Sequence, residues 1–175
     1  MMLKFKKNYP LYAFFAVAIF MGINSSDLNA QQSSNASNNS ESSNLAPTRK
    51  YKKARALQSS TAKKMAQVYE ALEMVDEKGE PAPDMDLVIS VLTDLRNNKD
   101  EMKSYDRSVM WNAWAYVYFS DGDYGRAMSA YQNLINEEEV TIGLRVAALL
   151  SLGQLYLVQE DYKRGIEYIL QWMRD

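Results

Sequence analysis

The side chains best able to do chemistry in this chain are its carboxylates, and their densest run is Glu137-Glu138-Glu139. Three neighbouring acids could hold a divalent cation or divide acid and base roles. Consecutive helix positions diverge by about 100°, however, so these side chains do not converge on one ion. They read instead as a solvated helix start, where negative charge complements the macrodipole. Histidine and cysteine are absent. That excludes a Cys nucleophile, a His general base, zinc sites built from either residue and any disulfide. We assign no catalytic residue, metal ligand or cofactor site. Catalysis by carboxylates alone stays open on composition, and nothing in the sequence points to it.

The elements that would position binding residues recur with a fixed period. Trp111, Trp114, Ala115, Tyr118, Ala127 and Tyr131 are matched 38 positions later by Leu149, Leu152, Gly153, Tyr156, Gly165 and Ile169. Asp123-Tyr124 and Asp161-Tyr162 are also 38 apart. Such self-similarity marks stacked repeats. Trp111, Ala115 and Tyr118 fall at i, i+4 and i+7, one face of a helix. Ser120-Asp121-Gly122-Asp123 supplies a glycine for a sharp reversal and an aspartate to cap the next helix. Ala127 and Tyr131 then face back across the pair. The spacing predicts an all-α fold of antiparallel helix pairs, with units at 105–138 and 139–175.

Residues 57–104 read as a degenerate third pair. Lys63 to Glu77 predicts a helix with Met65, Val68, Tyr69, Leu72 and Val75 on one side. Gly79-Glu80-Pro81-Ala82-Pro83 breaks it. Asp84 then caps a helix carrying Met85, Val88, Leu92 and Leu95.

The unit resembles the tetratricopeptide repeat, whose W-x2-L-G-x2-Y and A-x3-F pattern is met by Trp111, Tyr118, Ala127 and Tyr131, then by Leu152, Gly153 and Tyr156. The period of 38 exceeds the family's by four residues, expected around Asn136 to Glu139, and the closing proline is missing. The resemblance implies helix pairs stacked as an α-solenoid that binds a protein or peptide on the face lined by each first helix. The residues on that face would be Asn112, Tyr116, Phe119 and Ser120, then Leu150, Gln154, Leu157 and Val158. Members that grip a peptide carboxylate use a lysine there, and none stands at the matching positions. An aromatic or apolar groove is expected instead. Narrower still, Thr61 to Ala71 is similar to the start of periplasmic repeat proteins associated with TonB-type transport systems, which implies support of an outer-membrane or envelope complex.

Lys4, Lys6 and Lys7, an apolar run from Leu11 to Ile23 and a polar segment ending at Ala30 have the layout of a secretory signal peptide over 1–30. The apolar run spans about 20 Å as a helix, short of a bilayer core of about 30 Å. The expected location is the periplasm, with an uncleaved inner-membrane anchor as the alternative. Residues 31–56 read as a disordered linker, Ser/Asn-rich and then basic. Residues 49–64 hold seven basic residues and no acid, whereas 65–175 hold ten basic and twenty acidic residues, a net of −10. The basic stretch is either a solvated helical extension or a point of weak attraction to anionic membrane or cell wall, as in a structural or accessory envelope protein. Nucleic acid is not expected as a partner of an acidic, exported body. At the other end, Ile169, Leu170, Trp172 and Met173 cover more than half of a helix circumference. That helix is expected to form an interface, either with a partner or between copies of the chain.

Overall fold

A computed structural model describes residues 56–175. The expected signal peptide, the Ser/Asn tract expected to be disordered and the basic residues before 56 lie outside the described residues. Within them stand six α-helices and no strand: α1 Ser59–Leu72, α2 Met85–Asn97, α3 Ser104–Ser120, α4 Tyr124–Ile135, α5 Ile142–Val158 and α6 Tyr162–Arg174. A 3-10 turn, Lys99–Glu101, precedes α3. Each helix packs on the next, and α3 also touches α5. Among these helices none is long and apolar enough to cross a membrane.

Local chemistry sets the boundaries. Asp84, Asp123 and Asp161 accept hydrogen bonds from the backbone N–H of Leu87 (3.0 Å), Arg126 (2.8 Å) and Arg164 (3.1 Å), so each second helix has an aspartate cap. Each such cap is worth about 1 kcal/mol. The reversal before α4 puts Gly122 at φ 77°, and the matching turn before α6 puts Glu160 at φ 60°. A side chain there clashes with its own backbone, so the second turn is the more strained of the two.

The core takes one side of α1, α2 and α4 and most of the circumference of α3 and α5, while in α6 Gly165 alone is fully buried. Met65 and Val68 of α1, Val88, Leu92 and Leu95 of α2, and Ala127, Tyr131 and Leu134 of α4 are all buried. Helices α5 and α6 approach most closely at Gly153 and Gly165. A Cβ on Gly153 would lie 2.6 Å from Ile169 Cδ1, and one on Gly165 2.7 Å from Leu157 Cδ2. In α3 and α4 the matching residues are alanines, both fully buried.

Three expectations need correction. The helix expected over 63–77 ends at Leu72. Val75 instead forms an isolated bridge with Pro81, and Asp76 accepts from the N–H groups of Lys78 and Glu80. The side chain of Asp76 offers the backbone an alternative to the helix. The acid triplet lies in the loop between α4 and α5, not at a helix start, because Thr141 caps α5. Trp111 is only half-buried, since it faces a cleft beside the 3-10 turn. The deeply buried tryptophan is Trp114, whose Nε1 donates to the Leu92 carbonyl at 3.3 Å.

One more buried group ties the first helix down. The Asp106 carboxylate accepts from Thr61 Oγ1 at 2.9 Å and from the Gln58 N–H at 3.2 Å, joining the start of α3 to the start of α1.

Two substitutions test this account. Trp114→Ala is expected to cost roughly 3–5 kcal/mol in urea unfolding and Trp111→Ala well under that, since a half-exposed ring leaves a smaller cavity. Glu160→Gly is expected to stabilise the protein by about 1 kcal/mol by relieving the left-handed turn. A lower melting temperature for Glu160→Gly would contradict the strained turn.

Candidate functional site

A binding face on helix pairs needs the pairs fixed in register, and three contacts recur in the two clear units to do this, the first two at 38-residue spacing throughout. The first is an ion pair between the start of a first helix and the segment after its partner. Arg107 pairs with Glu137 (2.8 Å) and Arg145 with Asp175 (2.6 Å). Glu137 accepts from both Nε and Nη2 of Arg107, a fork geometry that fixes orientation as well as distance. Its Oε2 also accepts from Ser104 Oγ at 2.9 Å.

The second contact joins cap, arginine and tyrosine. Asp123 takes the Arg126 Nε at 2.5 Å, and the guanidinium carbon lies 4.8 Å from the centre of the Tyr118 ring. Asp161 takes the Arg164 Nε at 2.6 Å, with the guanidinium 4.6 Å from the Tyr156 ring centre. Each cap therefore aims a cation at the face of the first helix's tyrosine. The third contact reaches that tyrosine from the preceding unit. Arg96 Nη1 donates to the Tyr118 hydroxyl at 3.0 Å, and Gln132 Nε2 donates to the Tyr156 hydroxyl at 2.9 Å. Tyr118 also stacks on Trp114 at 5.0 Å, and Tyr156 on Tyr168 at 5.4 Å.

The cap contacts favour the charged form of their own carboxylates. The Arg126 backbone N–H, with help from its guanidinium, holds the Asp123 carboxyl below the usual range. The Arg164 side chain and then its backbone N–H do the same for Asp161. Burial pushes the Tyr131 hydroxyl up to about 12. Burial, with Tyr105 adding to it, pushes Tyr69 up to about 12.

The expected face residues spread over both first helices. Tyr116, Phe119 and Ser120 of α3 and Leu150 and Gln154 of α5 are half-buried, while Leu157 and Val158 are exposed at the end of α5. Phe119 packs on Tyr124, their ring centres 5.6 Å apart, so it partly serves the α3–α4 turn. Asn112 is a correction: at 5% exposure it belongs to the interior, because α3 is covered on more sides than a two-helix hairpin would be. None of the seven remaining residues takes part in the repeated latches.

Two features escaped the sequence reading. A cleft of about 440 Å³ opens between the 3-10 turn and the end of α4, with Trp111, Asn133 and Asn136 among its walls. Its signal was the arginine four residues before Trp111, matched with an acid 30 positions on. The run Ser60-Thr61-Ala62-Lys63 has the S-x-x-K spacing of some serine nucleophiles, but Ser60 and Lys63 are both exposed on α1.

No family model matches the chain, and no curated protein or solved structure is similar to it.

The sign of the pH dependence follows from the caps. A carboxyl depressed in the folded state contributes stability above its unfolded value of about 3.9 and loses it as pH falls through the folded value. Melting temperature is therefore expected to drop below about pH 4. The double variant Asp123→Asn, Asp161→Asn, which keeps an oxygen for each cap, is expected to lose part of that drop. An identical acid limb in the double variant would mean that other carboxylates control it.

Proposed function

We propose that the described helices are a tetratricopeptide-type solenoid segment acting as an exported scaffold for protein interaction, not as an enzyme. The single observation that supports this is the recurrence, at 38 residues, of the ion pairs and the Asp–Arg–Tyr latches. They hold successive first helices in the same relation to their partners. That leaves Tyr116, Phe119, Leu150 and Gln154, with Leu157 and Val158 at the edge, outside the latches. Their chemistry is aromatic and aliphatic with one amide, which suits an apolar or aromatic segment of a protein partner. A peptide with a gripped C-terminal carboxylate is disfavoured, since no lysine stands among them. The basic leader and apolar run of the sequence support export of this scaffold to the periplasm, with an uncleaved inner-membrane anchor as the alternative. There the resemblance of Thr61 to Ala71 points to service of an outer-membrane transport or other envelope complex.

Site-specific photocross-linking in intact cells tests the reading. A photoreactive side chain at Tyr116, Gln154 or Val158 is expected to give one discrete adduct with a partner protein. One at Asn133, on the cleft side, is expected to give none. Leu150→Ala should weaken the Tyr116 adduct without changing helix content. Adducts of equal strength at Asn133, or none at the three face positions, would count against a binding face here. Retention of the chain on anionic vesicles through residues 49–55 would instead favour the accessory envelope role.

A further inference from the structure

The outward side of α6 is a helix-packing surface that nothing in the described chain covers. Tyr162, Ile166, Leu170 and Met173 keep 60%, 54%, 51% and 65% of their surface exposed. They fall at i, i+4, i+8 and i+11, one stripe along the helix. Gly165 is buried, and Ile169 and Trp172 are half-buried. Of the four interface residues expected from sequence, then, Leu170 and Met173 lie on the open stripe and Ile169 and Trp172 largely do not.

The internal repeat shows what kind of surface this is. The counterparts 38 positions earlier are Tyr124, Met128, Gln132 and Ile135, all half-buried on α4, against which α5 packs. Three of the four residues differ, and one of those differences removes a polar group. Gln132 donates to the Tyr156 hydroxyl of α5, whereas Leu170 offers no polar group. A helix like α5 laid on α6 would bury its tyrosine hydroxyl unpartnered, at the full desolvation cost of that group. The surface fits an occupant that is apolar along its whole length.

We propose that this occupant is α6 of a second copy, the two stripes meeting about a two-fold axis. An apolar stripe is complementary to itself, as a closed two-fold contact requires. Charge permits the approach. Residues 65–175 carry a net of −10, but residues 162–175 hold Lys163, Arg164 and Arg174 against Glu167 and Asp175, a net of +1. Two copies can meet here without the repulsion that their acidic bodies impose elsewhere. A head-to-tail stack would need the outer side of α1, where Lys63, Gln67 and Glu70 are exposed. That side is polar and does not match the stripe. Four side chains make a small contact, below the standard complex's roughly 800 Å² per partner, so the dimer is weak and depends on concentration.

The chain has no cysteine, so a single introduced thiol reports the geometry. Sedimentation of the purified full chain is expected to show monomer passing to dimer with rising concentration, and nothing larger. Leu170→Cys is expected to cross-link to a dimer with a short bis-maleimide. Leu87→Cys, at an exposed apolar position far along the chain, is not. Leu170→Glu and Met173→Glu are each expected to lower the association constant about a hundredfold or more, because like charges then meet across the axis. Both side chains are at least half exposed, so helix content by circular dichroism should not change. A chain that stays monomeric, a ladder of larger species, equal cross-linking at Leu87→Cys, or a dimer indifferent to both glutamates overturns the proposal.

Discussion

Two tyrosines, Tyr118 and Tyr156, hold the helical body together, because each is the point where three helices meet. The ring sits on the first helix of a unit. The arginine of its own unit's second helix covers one face, and the preceding unit's second helix bonds the hydroxyl. A phenylalanine would pack as well but could not accept the bond from Arg96 or Gln132. Removing that bond would leave a donor facing apolar surface, and the imbalance matters more than the modest net worth of the bond. The arginine cannot drift either, because its Nε is held by the aspartate that caps its helix. Helix start, pair closure and unit-to-unit register thus depend on one small constellation.

The ion pairs explain why the period is longer than that of the family it resembles. Glu137 must leave α4 and return to Arg107 and Ser104 at the start of α3. The loop of residues 136–141 gives it the chain length to do so. Its carboxylate is well shielded, with 12% of the side chain exposed, so the pair is worth more than a typical surface salt bridge. Four acceptor contacts to Arg107 and Ser104 offset the cost of taking the charge out of water. From sequence the acid triplet reads as complementing the macrodipole of the next helix; Glu137 instead acts through an ion pair to Arg107 and a bond from the Ser104 hydroxyl near the start of α3.

What the sequence displayed was whatever depends on neighbours along the chain. The helix pairs, the Asp84, Asp123 and Asp161 caps and the Gly122 reversal all follow from spacing within a turn or two. The 38-residue period then located the second copy. What it hid were contacts between distant positions whose partners differ in type. Arg96 and Gln132 serve one role with different chemistry, so residue matching does not align them. Trp111 stands at the consensus tryptophan position, yet Arg107 and the 3-10 turn open a cleft beside it. Leu149, its counterpart, is fully buried. Val75 keeps the helical phase of Met65 and Val68, but Asp76 ends the helix by bonding its own backbone. Asn112 matched a face position, and only the packing of α3 against several helices shows that it is interior.

The two clear units meet the same constraint with different volumes. In α3 and α4 the positions matching Gly153 and Gly165 are alanines, Ala115 and Ala127, and the counterparts of Ile169 and Leu157 are Tyr131 and Phe119. In α5 and α6 the close approach is made by glycines, and Ile169 and Leu157 lean into the space that two methyl groups would have taken. All four positions are smaller in the second pair, and its helices close on the space that the larger residues occupy in the first. The exchange has a consequence for the exposed end of α5. Leu157 is drawn toward Gly165, yet it stays more than a third exposed beside Val158. One side chain therefore belongs both to the pair's packing and to the exposed surface. Any ligand that displaced Leu157 would open the gap over Gly165. The position of Leu157 is thereby coupled to the stability of the α5–α6 pair, whereas α4 carries a methyl group, Ala127, where α6 has Gly165.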